Sequence, residues 1–304
     1  MKIAFIIVTF NRPNIAQLSF KTLFGNTNVK PDHVTIIDDS SELDYRKYLF
    51  DFCNQNRFNF VSHGKNLGIG FSFEKAYSTM REYEDVDLVC FVESDYVWRK
   101  GWLEDVTSVF DSSPYTIAIA GCNHPDMYDR VKTHTEFPKL MIDQFGYDLK
   151  SRENLYNSFS LQTKTGQIEV QGVSNSCGCQ IVHLKRLKEI FSLNIFNDPV
   201  YNSTENLYWK FMERAFHKNN TGNRRYASDA HMSGTLSMFA EKYMLYKGVD
   251  ISKNFGFLDI CDYSISSHIC GGGINGMIVP EGSTFVGSPK FKIEYLEKNP
   301  RYER

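Results

Sequence analysis

Two carboxylates one residue apart, Glu93 and Asp95 with Ser94 between them, close the apolar run Val86–Val92. At a strand end both acids project to the same side, about 7 Å apart if the chain is fully extended. Hard divalent cations such as Mn2+ or Mg2+ take carboxylate oxygens and keep positions open for phosphate. A cation held there would offset the charge that builds on a departing diphosphate, with no proton transfer needed. Taken alone, an acid-x-acid step equally suits a strand that ends in water-facing acids.

Other candidates are scattered along the chain. Asp38-Asp39-Ser40-Ser41 and Thr9-Phe10-Asn11-Arg12 follow apolar runs, and Asn66-Leu67-Gly68 lies in a polar turn. Capping the next helix is one role open to Asp38. Glycine at 68 would let backbone approach a ligand closely.

The elements that must position these residues can be read from periodicity. Ile3–Val8 is a continuous β-branched and aromatic run, as for a strand buried on both faces. Asn11 is placed to cap the next helix, with Pro13 in its first turn, an apolar stripe at Ile15, Leu18, Phe20 and Leu23, and Gly25 as its stop. Strands are expected at 34–37, 58–61, 86–92 and 116–120, with helices at 43–52, from the 63–68 turn through Met80, and at 102–110. Alternation at this spacing predicts βαβ units and a parallel sheet. In such sheets ligands sit at the carboxyl ends of the strands, where Thr9–Arg12, Asp38–Ser41 and Glu93–Asp95 all fall. Residues 122–171 are polar and poorly periodic, as for a lid or an acceptor-binding insertion. Beyond them a strand is expected at 180–184, a helix start at Lys185-Arg186, and helices over 204–217 and 238–246. Gly271-Gly272-Gly273 is expected to be a flexible element near His268.

The ordered steps Val8-Thr9-Phe10-Asn11-Arg12, Asp38-Asp39-Ser40-Ser41, Asn66-Leu67-Gly68-Ile69-Gly70 and Glu93-Ser94-Asp95 resemble the strand-end motifs of family 2 of the GT-A glycosyltransferases. That resemblance covers the first 100 residues or so. It implies an α/β fold of GT-A (Rossmann-like) type, with a mostly parallel central sheet flanked by helices, acceptor-side insertions and a C-terminal extension. It also implies one continuous domain, residues 1–120 forming the nucleotide-sugar half and 121–304 the acceptor-binding and catalytic half. The nucleotide sugar would then meet Thr9, Phe10, Asn11, Arg12, Asp38, Asp39, Asn66, Gly68, Glu93 and Ser94, and the resemblance implies that Asp39, ahead of Asp38, accepts from the base N–H. Asp95 and Glu93 would hold Mn2+ or Mg2+, with Asp95 the principal ligand and Glu93 standing where the family has Asp. Members often carry an Arg just after the third motif, where this chain has Phe71-Ser72-Phe73. Inverting members open a helix with a Glu-Asp pair whose Asp is the base; here Thr204-Glu205-Asn206 stands, so Glu205 is the base candidate and Asn206 replaces the usual acid. A first-turn carboxylate is also stabilised by the helix dipole with no catalytic role. In a retaining enzyme no such base is needed, and Asn206 could contact sugar or acceptor. Asp198 and Glu213 are further base candidates. Many GT-A enzymes bring a C-terminal-side His onto the metal, which singles out His268 ahead of His134 and His231.

Composition narrows the partners. With 42% hydrophobic and 23% charged residues and a net charge of −2, no global field draws the chain to nucleic acid or membrane. Seven scattered cysteines match no disulfide framework, and Cys177-Gly178-Cys179 reads as small thiols filling a strand. No apolar run reaches membrane-spanning length, and Ile3–Val8 is too short for a signal segment, which predicts a cytoplasmic chain. A UDP-sugar is the first donor expected, since a base-reading Asp suits uracil. The acceptor is left open: a glycan, a protein side chain or a hydroxymethylated DNA base. The last would need Arg99-Lys100, Lys185-Arg186-Lys188 and Arg224-Arg225 to line one face. A nucleotidyltransferase would normally carry glycines in the phosphate loop after its first strand, where Thr9–Pro13 has none. A sugar-nucleotide or glycan-binding protein without turnover is the alternative of another class.

Overall fold

The opening run forms β1 (Ile3–Thr9), buried at all seven positions, as its unbroken apolar pattern requires. The computed structural model describes residues 1–67, 69–94, 96–98, 100–120, 158–163, 166–171, 179–193, 243–249, 257–260 and 266–268. The chain divides into two compact units, Met1–Asp105 with Asp262–Arg304, and Val106–Cys261.

In the first unit β1 is followed by α1 (Pro13–Gly25), β2 (His33–Asp38), α2 (Leu43–Asn56), β3 (Asn59–Ser62), α3 (Ile69–Glu82) and β4 (Leu88–Glu93). The strands lie in the order β3-β2-β1-β4, and every neighbouring pair is parallel. Helical crossovers are what parallel pairing demands, so the alternating pattern read from the sequence is the pattern built. A ribbon of β5 (Tyr96–Trp98) and β11 (Ser266–His268) runs antiparallel, with His268 opposite Tyr96. Aromatic packing ties α1 to the residues after β4. Trp98 and Trp102 approach to 4.2 Å between ring centroids, Trp102 lies 5.7 Å from Phe5, and its indole N–H donates to Leu23 O at 3.2 Å.

One cap differs from expectation. The N-cap of α1 is Arg12, in the left-handed region at φ 62° with no side-chain cap, and Pro13 follows inside the first turn. Asn11 instead spends its side chain elsewhere: Oδ1 accepts from the Glu42 N–H at 2.9 Å, at the entrance to α2. Asn11 is itself left-handed at φ 50°, which turns it away from the helix it was expected to cap.

Helix α4 (Trp102–Ser112) carries the chain into the second unit. There β6 (Ala118–Ala120), β7 (Ser158–Thr163), β8 (Gly166–Gln171), β9 (Cys179–His183) and β10 (Phe257–Ile260) lie in the order β9-β6-β10-β8-β7. Only β10 with β6 is parallel; β6 with β9, β10 with β8 and β7 with β8 are antiparallel. The β7–β8 hairpin falls inside 122–171, where no strand was expected. Its signal is the period-2 alternation of Phe159 and Leu161, then Ile168 and Val170, on either side of Gly166. After β9 comes α5 (Leu184–Ser192), which buries Leu184, Leu187 and Ile190. Cys179 is a buried cysteine within β9, and Cys53 and Cys90 are buried cysteines of α2 and β4; none of the three is in a disulfide. Burial pushes the Cys53 thiol up to about 12 and Cys90 well above its ordinary value, so these two are packing groups rather than nucleophiles. Residues 243–246 are helical, within the 238–246 range expected for a helix; the rest of that range and the helix expected at 204–217 lie outside the described residues.

Candidate functional site

Register brings the strand-end motifs of the first unit side by side. Across the sheet Glu93 pairs with Val8, Thr9 with Asp38, and Asp38 with Ser62. Residues distant in sequence therefore finish at one edge, because the parallel strands run the same way and end at the same level.

Beneath that edge lies a tier of buried polar groups. Asp38 is fully buried. Its carboxylate accepts from the Ser41 N–H at 3.1 and 3.2 Å and from Ser62 Oγ at 2.9 Å, and it stands 3.6 Å from Arg46 Nε. It closes the turn after β2 rather than capping α2, whose N-cap is Glu42 with no side-chain bond. Arg46 also donates from Nη2 to Ser41 O at 2.7 Å and to Ser40 Oγ at 3.1 Å, holding Ser40 in the left-handed conformation at φ 61°. A non-glycine residue in that region persists only where its surroundings over-determine it. Ser41 Oγ accepts from the Asn11 N–H at 2.8 Å, so the turns after β1 and β2 are stitched together. Thr9 and Ser94 share a hydrogen bond of 2.9 Å and are also buried.

Above this tier the accessible residues are Phe10, Asn11, Arg12, Ser40, Leu67 and Glu93, all part-exposed, with Asn66 exposed. Asp39 sits at the boundary. It is buried, its N–H donates to Thr9 O at 3.0 Å, and its Oδ1 accepts from the Leu67 N–H at 2.9 Å. The Asn66-Leu67 turn is thus bonded to the acid step after β2, which unites the second and third motifs. At the position after that turn, Ser72 is buried on α3.

The structure gathers Thr9, Phe10, Asn11, Arg12, Asp38, Asp39, Asn66, Glu93 and Ser94 at one edge. Gly68, Asp95, Glu205 and Asn206 lie outside the described residues, as do Asp198, Glu213, His134 and His231. His268 is described in its backbone only, in register with Tyr96. Among the described residues no three His, Cys, Asp or Glu side chains form a metal-holding group. Buried Tyr45 and Ser41, half-buried Arg46 and exposed Ser62 complete the bonding around Asp38 and Thr9; of these only Ser41 belongs to a motif. Only the position of Tyr45 and Arg46 in the helix after a double-acid turn could have drawn attention to them.

Two other features are set apart by geometry. A groove of about 670 Å3 between α1 and α2, lined by Phe20, Phe24, Tyr48, Phe52 and Phe58 among others, takes none of its lining from the strand ends. Arg186, from the basic cluster weighed for nucleic acid, donates to Phe110 O at 2.9 Å and to Ser113 O and Thr116 O at 2.8 Å. Its guanidinium is engaged with carbonyls at and beyond the end of α4, as cations at helix C-termini commonly are. Among the described residues no helix is long and apolar enough to cross a membrane.

A search among curated proteins finds no match. Solved structures with a similar chain path include S. aureus TarS in complex with UDP-GlcNAc, at 13% identity and a TM-score of 0.46, covering 88% of this chain and 58% of that one. The mannosyltransferase PcManGT from Pyrobaculum calidifontis, in complex with GDP-Man and Mn2+, is 9% identical with a TM-score of 0.40, covering 81% and 75%. Glucosyl-3-phosphoglycerate synthase from Mycobacterium tuberculosis is 12% identical with a TM-score of 0.37, covering 63% and 58%. In a longer structure of S. aureus TarS the chain spans 36% of its neighbour's length. A family model described as Glycosyl transferase family 2 matches residues 4–191, more than half of the sequence, and the chain belongs to that family.

Proposed function

We propose that the chain transfers a sugar from a nucleotide-diphosphate sugar, a UDP-sugar first among donors, to an acceptor hydroxyl. The observation that carries this reading is the edge shared by β2, β1 and β4, where a hydrogen-bonded tier around buried Asp38 and Thr9 supports an accessible polar rim. Asp39, with its Oδ1 on the Leu67 N–H, is the residue for the base N–H of the nucleotide. Asp38 serves beneath it as scaffold. Phe10, Asn11, Arg12 and Asn66 supply the walls around the nucleoside. On this view the nucleotide half is residues 1–120 and the acceptor half 121–304, within one GT-A domain.

The residues at the end of β4 fit a hard divalent ion in chemistry. Glu93 offers carboxylate oxygens at the strand end, Asp95 follows two residues later in sequence, and β11 pairs His268 with Tyr96. Glu93 and Asp95 would hold Mn2+ or Mg2+, with His268 as a third ligand, and the ion would stabilise the departing diphosphate. Glu205 is the base that would take the acceptor proton in an inverting transfer. Asn206 would contact sugar or acceptor.

A panel of nucleotide sugars, scored for diphosphate release with and without Mn2+, tests the reading. Metal-dependent release from a UDP-sugar is the expected result, and Asp95→Ala should lower it by at least about a hundredfold. Release from no donor would favour a binding protein without turnover. Glu205→Gln should be as severe as Asp95→Ala in an inverting enzyme, and a mild effect would point to retention.

A further inference from the structure

Three buried hydroxyls link α2 to the ends of β1 and β4. Tyr45 lies in the first turn of α2 and is 4% exposed, with its Oη 2.8 Å from Thr9 Oγ1. Ser94 Oγ donates to that same Thr9 oxygen at 2.9 Å, while the Ser94 N–H donates to Val8 O at 3.1 Å. Thr9 is 2% and Ser94 6% exposed. A hydroxyl offers one proton and two lone pairs, so Thr9 can serve both neighbours at once. Thr9 is the only hydrogen-bond partner of the Tyr45 hydroxyl among the described residues.

Packing alone does not call for this chain. The ring of Tyr45 stacks on Tyr48 at 6.1 Å between centroids and an interplanar angle of 14°, a contact that phenylalanine would keep. Burying three hydroxyls brings a desolvation cost that their mutual bonds offset with little to spare. What the chain does fix is direction. Thr9 stands in register with Asp38, and Val8 in register with Glu93, so the relay joins the turn assigned to the base with the acid step of β4. Burial raises the Tyr45 phenol far above its ordinary value, so its proton stays in place across the working pH range.

We propose that Tyr45 is a positioning residue for the end of β4: acting through Thr9 it orients Ser94, and Ser94 fixes the backbone beside Glu93, the carboxylate that would meet a divalent cation. This rests on the donor-site reading above and adds a residue to it.

Binding of Mn2+ to the full chain in saturating UDP, followed by the electron paramagnetic resonance signal of unbound Mn2+, provides the test. Tyr45→Phe should weaken Mn2+ binding about tenfold, the usual cost of losing an outer-shell support. Its affinity for UDP without metal should stay within about twofold of the parent, since the nucleoside contacts are untouched. Thr9→Val cuts the same chain and should have a similar effect on Mn2+. The double variant should be no worse than the weaker single one, as expected for one linked unit. Tyr48→Phe, which keeps the stack and lies outside the chain, should bind Mn2+ as the parent does. A Tyr45→Phe protein with parental Mn2+ affinity and only a lower Tm would overturn the proposal. If that variant does not fold, parental Mn2+ affinity in Thr9→Val overturns it equally. If the parent chain binds neither UDP nor Mn2+, the donor-site reading itself falls, whereas UDP binding with a Mn2+ affinity indifferent to the chain removes Tyr45 alone.

Discussion

The strand ends of the first unit and the α4–α5 region of the second use buried and part-buried polar groups in different ways. In the first, Asp38 is a fully buried carboxylate surrounded by Ser41, Ser62 and Arg46, and a rim of part-exposed residues rises above it. In the second, the Arg186 guanidinium takes up three carbonyls, and Glu189 is held by Tyr243 Oη and Lys247 Nζ, both at 2.7 Å. The second arrangement closes on itself and braces α4 and α5. The first satisfies its lower groups so that upper ones are held ready, which is how preorganised binding edges are built. Polar density alone would not separate the two; the presence of an accessible tier above the satisfied one does.

That contrast can be broken most forcefully at Asp38. Asp38→Asn keeps the volume but leaves Arg46 without its charge partner and gives the turn a donor where it needs an acceptor. Urea denaturation should show a loss of about 3 kcal/mol, within the range for uncoupling a buried ionic group. Parental stability would mean that the lower tier does not support the edge.

Arg186→Met comes next. It removes the cation from the carbonyls of Phe110, Ser113 and Thr116 and should cost about 1–2 kcal/mol, with UDP binding unchanged. A loss of UDP affinity larger than the loss of stability explains would blur the distinction between the regions.

The smallest effect belongs to Glu189. Its hydrogen bond from Lys247, then that from Tyr243, hold its pKa below the ordinary value. A depressed folded-state pKa contributes stability above the unfolded value, near pH 4.5, and loses it as pH falls through the folded one. Glu189→Gln should therefore lower stability slightly at neutral pH, leave the values below the folded pKa nearly unaltered, and so flatten the acid limb of the profile. An identical acid limb in both proteins would show the clasp to be silent.

Much of the first unit was legible because its signals are local and repeated. Buried parallel strands need apolar runs, helices need their stripe, and Gly25 marks the end of α1, so periodicity located β1 to β4 and α1 to α3 within a few residues, while the three-residue strands β5 and β11 were too short to show a period. The strand-end placement of Thr9, Asp38 and Glu93 followed from that alternation. The hydrogen bonds did not follow, because they depend on register. Nothing in the residue types says that Asn11 reaches Glu42 rather than capping α1, or that Tyr45 meets Thr9 across 36 positions. In the second unit the antiparallel hairpin of β7 and β8 was missed for a different reason. Its polar alternation is weak beside the long apolar runs of the parallel strands, and a half-polar strand resembles a loop unless period 2 is counted explicitly.

The most direct test of the central claim, that the shared edge of β2, β1 and β4 receives the nucleotide, is calorimetric titration of UDP in Mn2+ into the parent chain and Asp39→Asn. Asparagine keeps an acceptor for the Leu67 N–H while removing the charge that would meet the base. The account predicts measurable UDP binding to the parent and at least about tenfold weaker binding to the variant, at similar Tm. Equal UDP affinity in the two proteins, or no binding of UDP to the parent, would contradict it.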